Sequence, residues 1–208
     1  MKIIILTKKI ILLKLNKNGG IMKKFYLIVF FVLIGCASSK SVVQPSNISF
    51  SSSFDIFKPY RVAVLPVSSD LQNMSDEIRN SLSEFVSFEL SKINGFTLVE
   101  REKIDKVLSE QALGLTGAVD IETAAKVGKL LGADAVLLSQ VVELKRDEFF
   151  EEDEAYDGKI FIRLVDTSTG EILFYSKGVG KSLEGKIPTL EQSIKNALEP
   201  LRRKREMK

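Results

Sequence analysis

A basic start, Met22-Lys23-Lys24, leads directly into an unbroken apolar run from Phe25 to Ile34. Ten residues are too few to cross a bilayer as a helix, but they suit the apolar core of an export signal behind its positive flank. This run constrains the fold more than any other feature, because it takes residues 1–35 out of the soluble core. With 45% hydrophobic residues in a chain of 208, what remains can bury one ordinary core, so a single domain is expected.

The run closes as Leu33-Ile34-Gly35-Cys36, a large apolar residue and small or apolar spacers ahead of a cysteine. That ending resembles the processing site of bacterial lipoprotein signals, where cleavage leaves the cysteine as the lipid-bearing first residue. The alternative is an uncleaved apolar helix with an incidental cysteine, against which stand the lysines before the run and the Ser-rich stretch after it. Ala37 and Ser38 follow Cys36 where sorting signals for inner-membrane retention carry Asp, so the outer membrane is favoured. Residues 1–21, whose apolar residues are interrupted by Lys2, Lys8, Lys9, Lys14 and Lys17, read as sequence upstream of a true start at Met22 or as an extended basic flank.

Seven of the 30 basic side chains and none of the 27 acidic ones lie in residues 1–35, so the remainder carries 23 basic against 27 acidic groups, a formal net of −4. Nothing in that balance selects nucleic acid as a partner. The chain contains no His, and its one Cys is the proposed lipid carrier. Ser-His-Asp and Cys-His arrangements, His metal sites and internal disulfides are thereby excluded; carboxylate chemistry is left open, and no enzyme, cofactor or metal site is expected.

From Cys36 to Lys58 the chain is Ser-rich and lacks helical periodicity, which predicts a flexible tether. Phe50, Phe54, Ile56 and Phe57 interrupt it, either docking its end on the domain or serving a neighbouring subunit. The domain, 59–201, opens with the β-prone run Arg61 to Val67, Pro66 near its end. Ser75 or Asp76 then caps a helix with Ile78, Leu82, Phe85, Val86 and Leu90 on one side. Asn94-Gly95 ends it, Phe96 to Val99 forms a second strand, and a helix follows with Ile104, Val107 and Leu108 inward. Asp120 caps a third helix through Leu131, and Ala133 to Val142 reads as a central strand covered on both faces. Two hairpin strands follow, Ile160 to Val165 and Glu171 to Tyr175, the first with two largely apolar faces. A last helix runs from about Thr189 to Leu201, and residues 202–208 form a basic tail. The predicted fold is α/β, a mixed sheet of about five strands with helices packed on it, in the order β-α-β-α-α-β-β-β-α.

Three segments invite a chemical reading. The acidic run Asp147 to Glu154 lacks the alternating spacing that aims oxygens at one cation, which predicts a solvated hairpin tip. Phe149 and Phe150 inside it either fold back on the domain or meet a protein partner, and are the candidate partner-binding residues. Gly178-Val-Gly180-Lys181-Ser182 resembles the end of a phosphate-binding loop, but Tyr175 stands where that motif requires glycine. Arg202 to Arg205 either touch an anionic surface or form a frayed, solvated helix end.

Three ordered motifs carry a family resemblance: Leu98-Val-Glu-Arg-Glu-Lys-Ile-Asp-Lys-Val-Leu-Ser-Glu110, Leu131-Gly-Ala-Asp-Ala-Val-Leu-Leu-Ser-Gln-Val141 and Arg163-Leu-Val-Asp-Thr-Ser-Thr-Gly-Glu-Ile-Leu173. With the Arg61 to Val67 strand, they resemble the CsgG/HfaB family of curli-assembly lipoproteins. The resemblance implies a periplasmic α/β domain, lipid-anchored at the outer membrane, which in channel-forming members assembles into rings whose subunits each donate membrane-spanning hairpins. This sequence departs from that pattern: between the Val136 and Phe161 strands there is the acidic run, and after Tyr175 a short Gly-rich link. The resemblance therefore implies a non-enzymatic envelope lipoprotein that binds proteins or its own copies in assembly or export. The alternatives it leaves open are a secretion-channel subunit and an LpoB-type activator of a cell-wall synthase.

Overall fold

The computed structural model describes residues 48–71, 74–111, 119–146 and 155–207. Their elements are β1 (Ile48–Phe50), β2 (Tyr60–Val64), β3 (Ser68–Ser69), α1 (Asp76–Ser91), β4 (Phe96–Leu98), α2 (Arg101–Glu110), α3 (Ile121–Leu130), β5 (Ala135–Arg146), β6 (Tyr156–Asp166), β7 (Ile172–Ser182) and α4 (Lys186–Glu206). The strands form one sheet in the order β1-β7-β6-β5-β2-β4, with β3 paired to β5. It has two halves: β4, β2, β3 and β5 run parallel, whereas β5, β6, β7 and β1 form antiparallel pairs.

Burial on both faces explains the unbroken apolar strands. Along β2, Val62 and Val64 join the core beneath α1 and α4, while Ala63 and then Leu65 point into a second core beneath α2 and α3. Leu137 of β5 joins the first core, Val136 and Leu138 the second. The helix starts follow the capping residues: the Ser75 hydroxyl accepts from the Ile78 N–H at 3.3 Å, and the Asp120 carboxylate from the Thr123 N–H at 2.9 Å. A buried hydroxyl links the layers, because Ser83 of α1 accepts from the Val67 N–H at 2.8 Å while donating to the Arg79 carbonyl at 2.6 Å.

The element order β-α-β-α-α-β-β-β-α holds for the principal elements, and four details differ. Among the described residues there are seven strands rather than about five, because β1 and β3 add three and two residues to existing edges. Residues 48–58 do not read out as tether: β1 pairs with β7, and Phe54 and Ile56 are each 8% exposed, although Phe57 is 54% exposed. The Gly-rich link after Tyr175 is strand, since β7 stays paired with β6 as far as Ser182 opposite Tyr156. The basic tail is helix: α4 continues to Glu206, and Arg205 is 9% exposed.

Candidate functional site

Cys36, Phe149 and Phe150, together with the acidic run 147–154, lie outside the described residues. The structure does place the run's two attachment points. Arg146 and Tyr156 stand opposite one another at the end of the β5–β6 hairpin, with Lys145 opposite Asp157 one step in.

Beside that hairpin lies a surface the strands build by alternation. On β6, Ile160, Ile162 and Leu164 point into the core under α4, which sends Lys159, Phe161 and Arg163 to the opposite face. Tyr175, Lys177 and Val179 of β7 share that face and are partly exposed. The Phe161 and Tyr175 rings stack with centroids 5.4 Å apart, and the Arg163 guanidinium lies 5.7 Å from the Tyr175 ring. Arg163 donates to Gln140 at 3.1 Å, whose amide nitrogen donates to Asp70 at 2.8 Å. Lys159 donates to both oxygens of Glu143 at 2.9 Å, and these bonds hold the Glu143 carboxyl below its ordinary range. An aromatic pair ringed by hydrogen-bonded polar groups on a strand surface has the composition of a protein-binding patch. The expectation of an apolar second face on β6 is corrected here, because Arg163 and Lys159 make it mixed.

On the other face α4 lies unusually close to the sheet. A Cβ on Gly178 would run into the Ser193 carbonyl, and one on Gly180 into the Thr189 carbonyl. The Ser193 hydroxyl donates to the Gly158 carbonyl at 3.1 Å in the same contact. The Gly-Val-Gly-Lys-Ser segment thus serves helix–sheet packing, with Gly178 and Gly180 paired to Ile160 and Gly158 in the β6 ladder.

Glu89, 2% exposed, ties α1 to α4: it accepts from Lys92 at 2.6 Å and from Arg202 at 2.9 Å. Burial pushes its carboxyl up, but the two cations outweigh burial and leave it below the ordinary value. Two acids within the sequence motifs also have structural roles. Asp134 accepts from the Arg61 N–H at 2.8 Å, fixing β2 against the entry to β5. Asp166 accepts from the Ser168 and Thr169 N–H groups at 2.8 Å each, which sets the β6–β7 turn.

Sequence reasoning passes over Glu89 and places Arg205 in a solvated or surface-touching tail, whereas it is buried and bonded to Asn94 and Lys58. Glu89 carries a local signal in Lys92 three residues on, and Arg205 carries none, since its partners come from distant segments. Among the described residues, no helix is long and apolar enough to cross a membrane, and no group of three or more His, Cys, Asp or Glu could hold a metal ion.

Compared with curated protein sequences, the chain has no match. The family described as "Curli production assembly/transport component CsgG" matches residues 63–148, from within β2 to just past β5. Among solved structures, a variant PelC dodecamer from Paraburkholderia phytofirmans is similar with a TM-score of 0.50 at 14% identity, over 76% of this chain and 99% of that one. Lipoprotein GNA1162 from Neisseria meningitidis gives 0.49 at 19% identity over 60% and 83%. The LpoB C-terminal domain from Escherichia coli gives 0.46 at 17% identity over 61% and 86%. At such identities the likeness to PelC is one of fold.

Proposed function

We propose, from the match of residues 63–148 to the CsgG family model, that the protein is a non-enzymatic lipoprotein of the bacterial envelope, held to a membrane through Cys36 and acting by binding proteins, its own copies included. The observation that carries this reading is the family match over the parallel half of the sheet, in a chain with no His and one Cys. Phe161, Tyr175 and Arg163 of the antiparallel half support this reading, and the candidate residues Phe149 and Phe150 fall in sequence between Arg146 and Tyr156. The outer membrane is the favoured site, on the residues that follow Cys36. Because the similar PelC structure is a dodecamer, an assembly of copies is the first to test.

Chain length argues against a pore lined by this protein's own strands. A membrane-crossing strand takes about 9–11 residues, and a hairpin takes two. Residues 147–154 and residues 183–185, the two connections where such hairpins would arise, are too short.

Metabolic labelling with a fatty-acid analogue, followed by crosslinking in intact cells and mass spectrometry, tests the proposal. Label is expected on the wild type and lost in Cys36→Ser, with proteins of the envelope crosslinked to the labelled chain. A cell-wall synthase among them would mark an activator, whereas crosslinks between copies alone would mark an assembly of copies. An unlabelled wild type, or a catalytic turnover abolished by a carboxylate substitution, would overturn it.

A further inference from the structure

The segment that joins the N-terminus to the domain is held by the other end of the chain. Residues 48–58 touch the sheet along one edge, where Ile48, Ser49 and Phe50 pair with Ser176, Tyr175 and Phe174, and the Ser51 N–H donates to the Leu173 carbonyl at 2.9 Å. Phe50 stacks on Phe54 at 6.2 Å and 8° and meets Phe174 at 5.1 Å. Two neighbouring residues of α4 then grip the segment at its two ends. The Lys204 ammonium sits 4.0 Å from the centre of the Phe50 ring. Arg205 donates from one nitrogen to the Lys58 carbonyl at 3.0 Å and from another to the Asn94 carbonyl at 2.9 Å, its guanidinium lying 4.0 Å over the Phe96 ring.

That socket has a shape made for the guanidinium. Gly95, at φ 84°, leaves open the space a Cβ would take from Arg205, and Phe96 forms its floor. A cation over an aromatic ring that also bonds two backbone carbonyls is a specific contact, stronger than an exposed ion pair. Pro59 follows Lys58 directly and separates the segment from β2, which the sheet holds independently through β4 and β5.

We propose that residues 48–58 form a releasable strap, closed at both ends by Lys204 and Arg205, which opens as a unit and uncovers the Leu173–Ser176 edge of β7 while the remainder of the sheet stays folded. Its use as a response to pull on an anchored N-terminus rests on the lipidation reading above; the latch itself does not. Segments with few backbone bonds to the body open locally at a lower cost than the whole domain. Here that cost includes the pairing with β7 and the burial of Phe54 and Ile56 in the core, and Lys204 and Arg205 of α4 add to it at the segment's two ends.

Hydrogen exchange read by mass spectrometry on the full chain in detergent tests the strap. Arg205→Ala should exchange at least about tenfold faster than wild type within residues 48–58, with residues 135–138 of β5 unchanged. Lys204→Ala should show a smaller acceleration confined to the same residues, and Lys195→Ala, on the same helix over Phe85, none. Should Arg205→Ala fail to fold, Arg205→Lys, which keeps the charge and loses the forked bond, gives the same reading. Unchanged exchange in 48–58, or acceleration of 48–58 and 135–138 together, would overturn the proposal. Cys36→Ser is expected to leave strap protection as in wild type, so a failed labelling experiment removes the anchor and spares the latch.

Discussion

Glu89 is a carboxylate with 2% of its surface exposed, kept charged by Lys92 just past the end of α1 and by Arg202 of α4. Because its folded pKa is depressed, its contribution to stability is fully present above the unfolded carboxyl value of 4.5 and is lost as the pH falls through the folded value. Glu89→Gln is therefore expected to cost about 2 kcal/mol at neutral pH, at the modest end for a buried pair because Arg202 and Lys92 keep some access to water. Urea titrations should find the gap between variant and wild type closing below pH 4.5; a gap that stays constant would mean that the charge of Glu89 is not what matters. Single residues were unevenly legible in the sequence. Ser75 and Asp120 announce themselves as caps because a cap acts within three residues, and Phe50 and Phe54 stand out as aromatics in a serine-rich stretch. Arg205 read as part of a basic tail, since Asn94, Gly95 and Lys58 become its neighbours only after the sheet has formed.

Among the elements, β7 shows how composition misleads. Glycine is a poor strand former, and a stretch with Gly178, Gly180 and a Lys-Ser ending reads as a loop. What rescues the strand is α4, whose backbone at Thr189 and Ser193 fills the space the glycines leave. Gly178→Ala should force the helix outward at a cost of about 3 kcal/mol, measurable as a fall in denaturation midpoint, while Gly158→Ala, whose Cβ would meet the Thr189 methyl at 2.9 Å, should cost less. Equal costs would show that the helix yields freely along its length. The long strands and helices were legible because apolar period and burial agree over many residues. β1 and β3 were not, because two or three residues hold no period and take their conformation from the edges they join.

At the scale of the molecule, the family match stops within two residues of β5, so the half of the sheet that carries Phe161 and Tyr175 lies outside it. Replacing both rings, Phe161→Gln with Tyr175→Gln, should lower stability by about 1 kcal/mol per site, because the pair is partly exposed, and should abolish crosslinking to the partner. Retained crosslinks in a folded double variant would move the binding surface elsewhere. The overall class was legible in the alternation of apolar runs with capped helices, and its division into parallel and antiparallel halves was foreshadowed by the change from strand-helix units to hairpins. That arrangement also dictates an order of events during synthesis. Among the described strands β1 pairs with β7, β2 waits for β5, and the guanidinium that holds the segment after β1 comes from α4. A polypeptide released from its N-terminal side therefore holds an incomplete sheet until β7 and α4 have emerged.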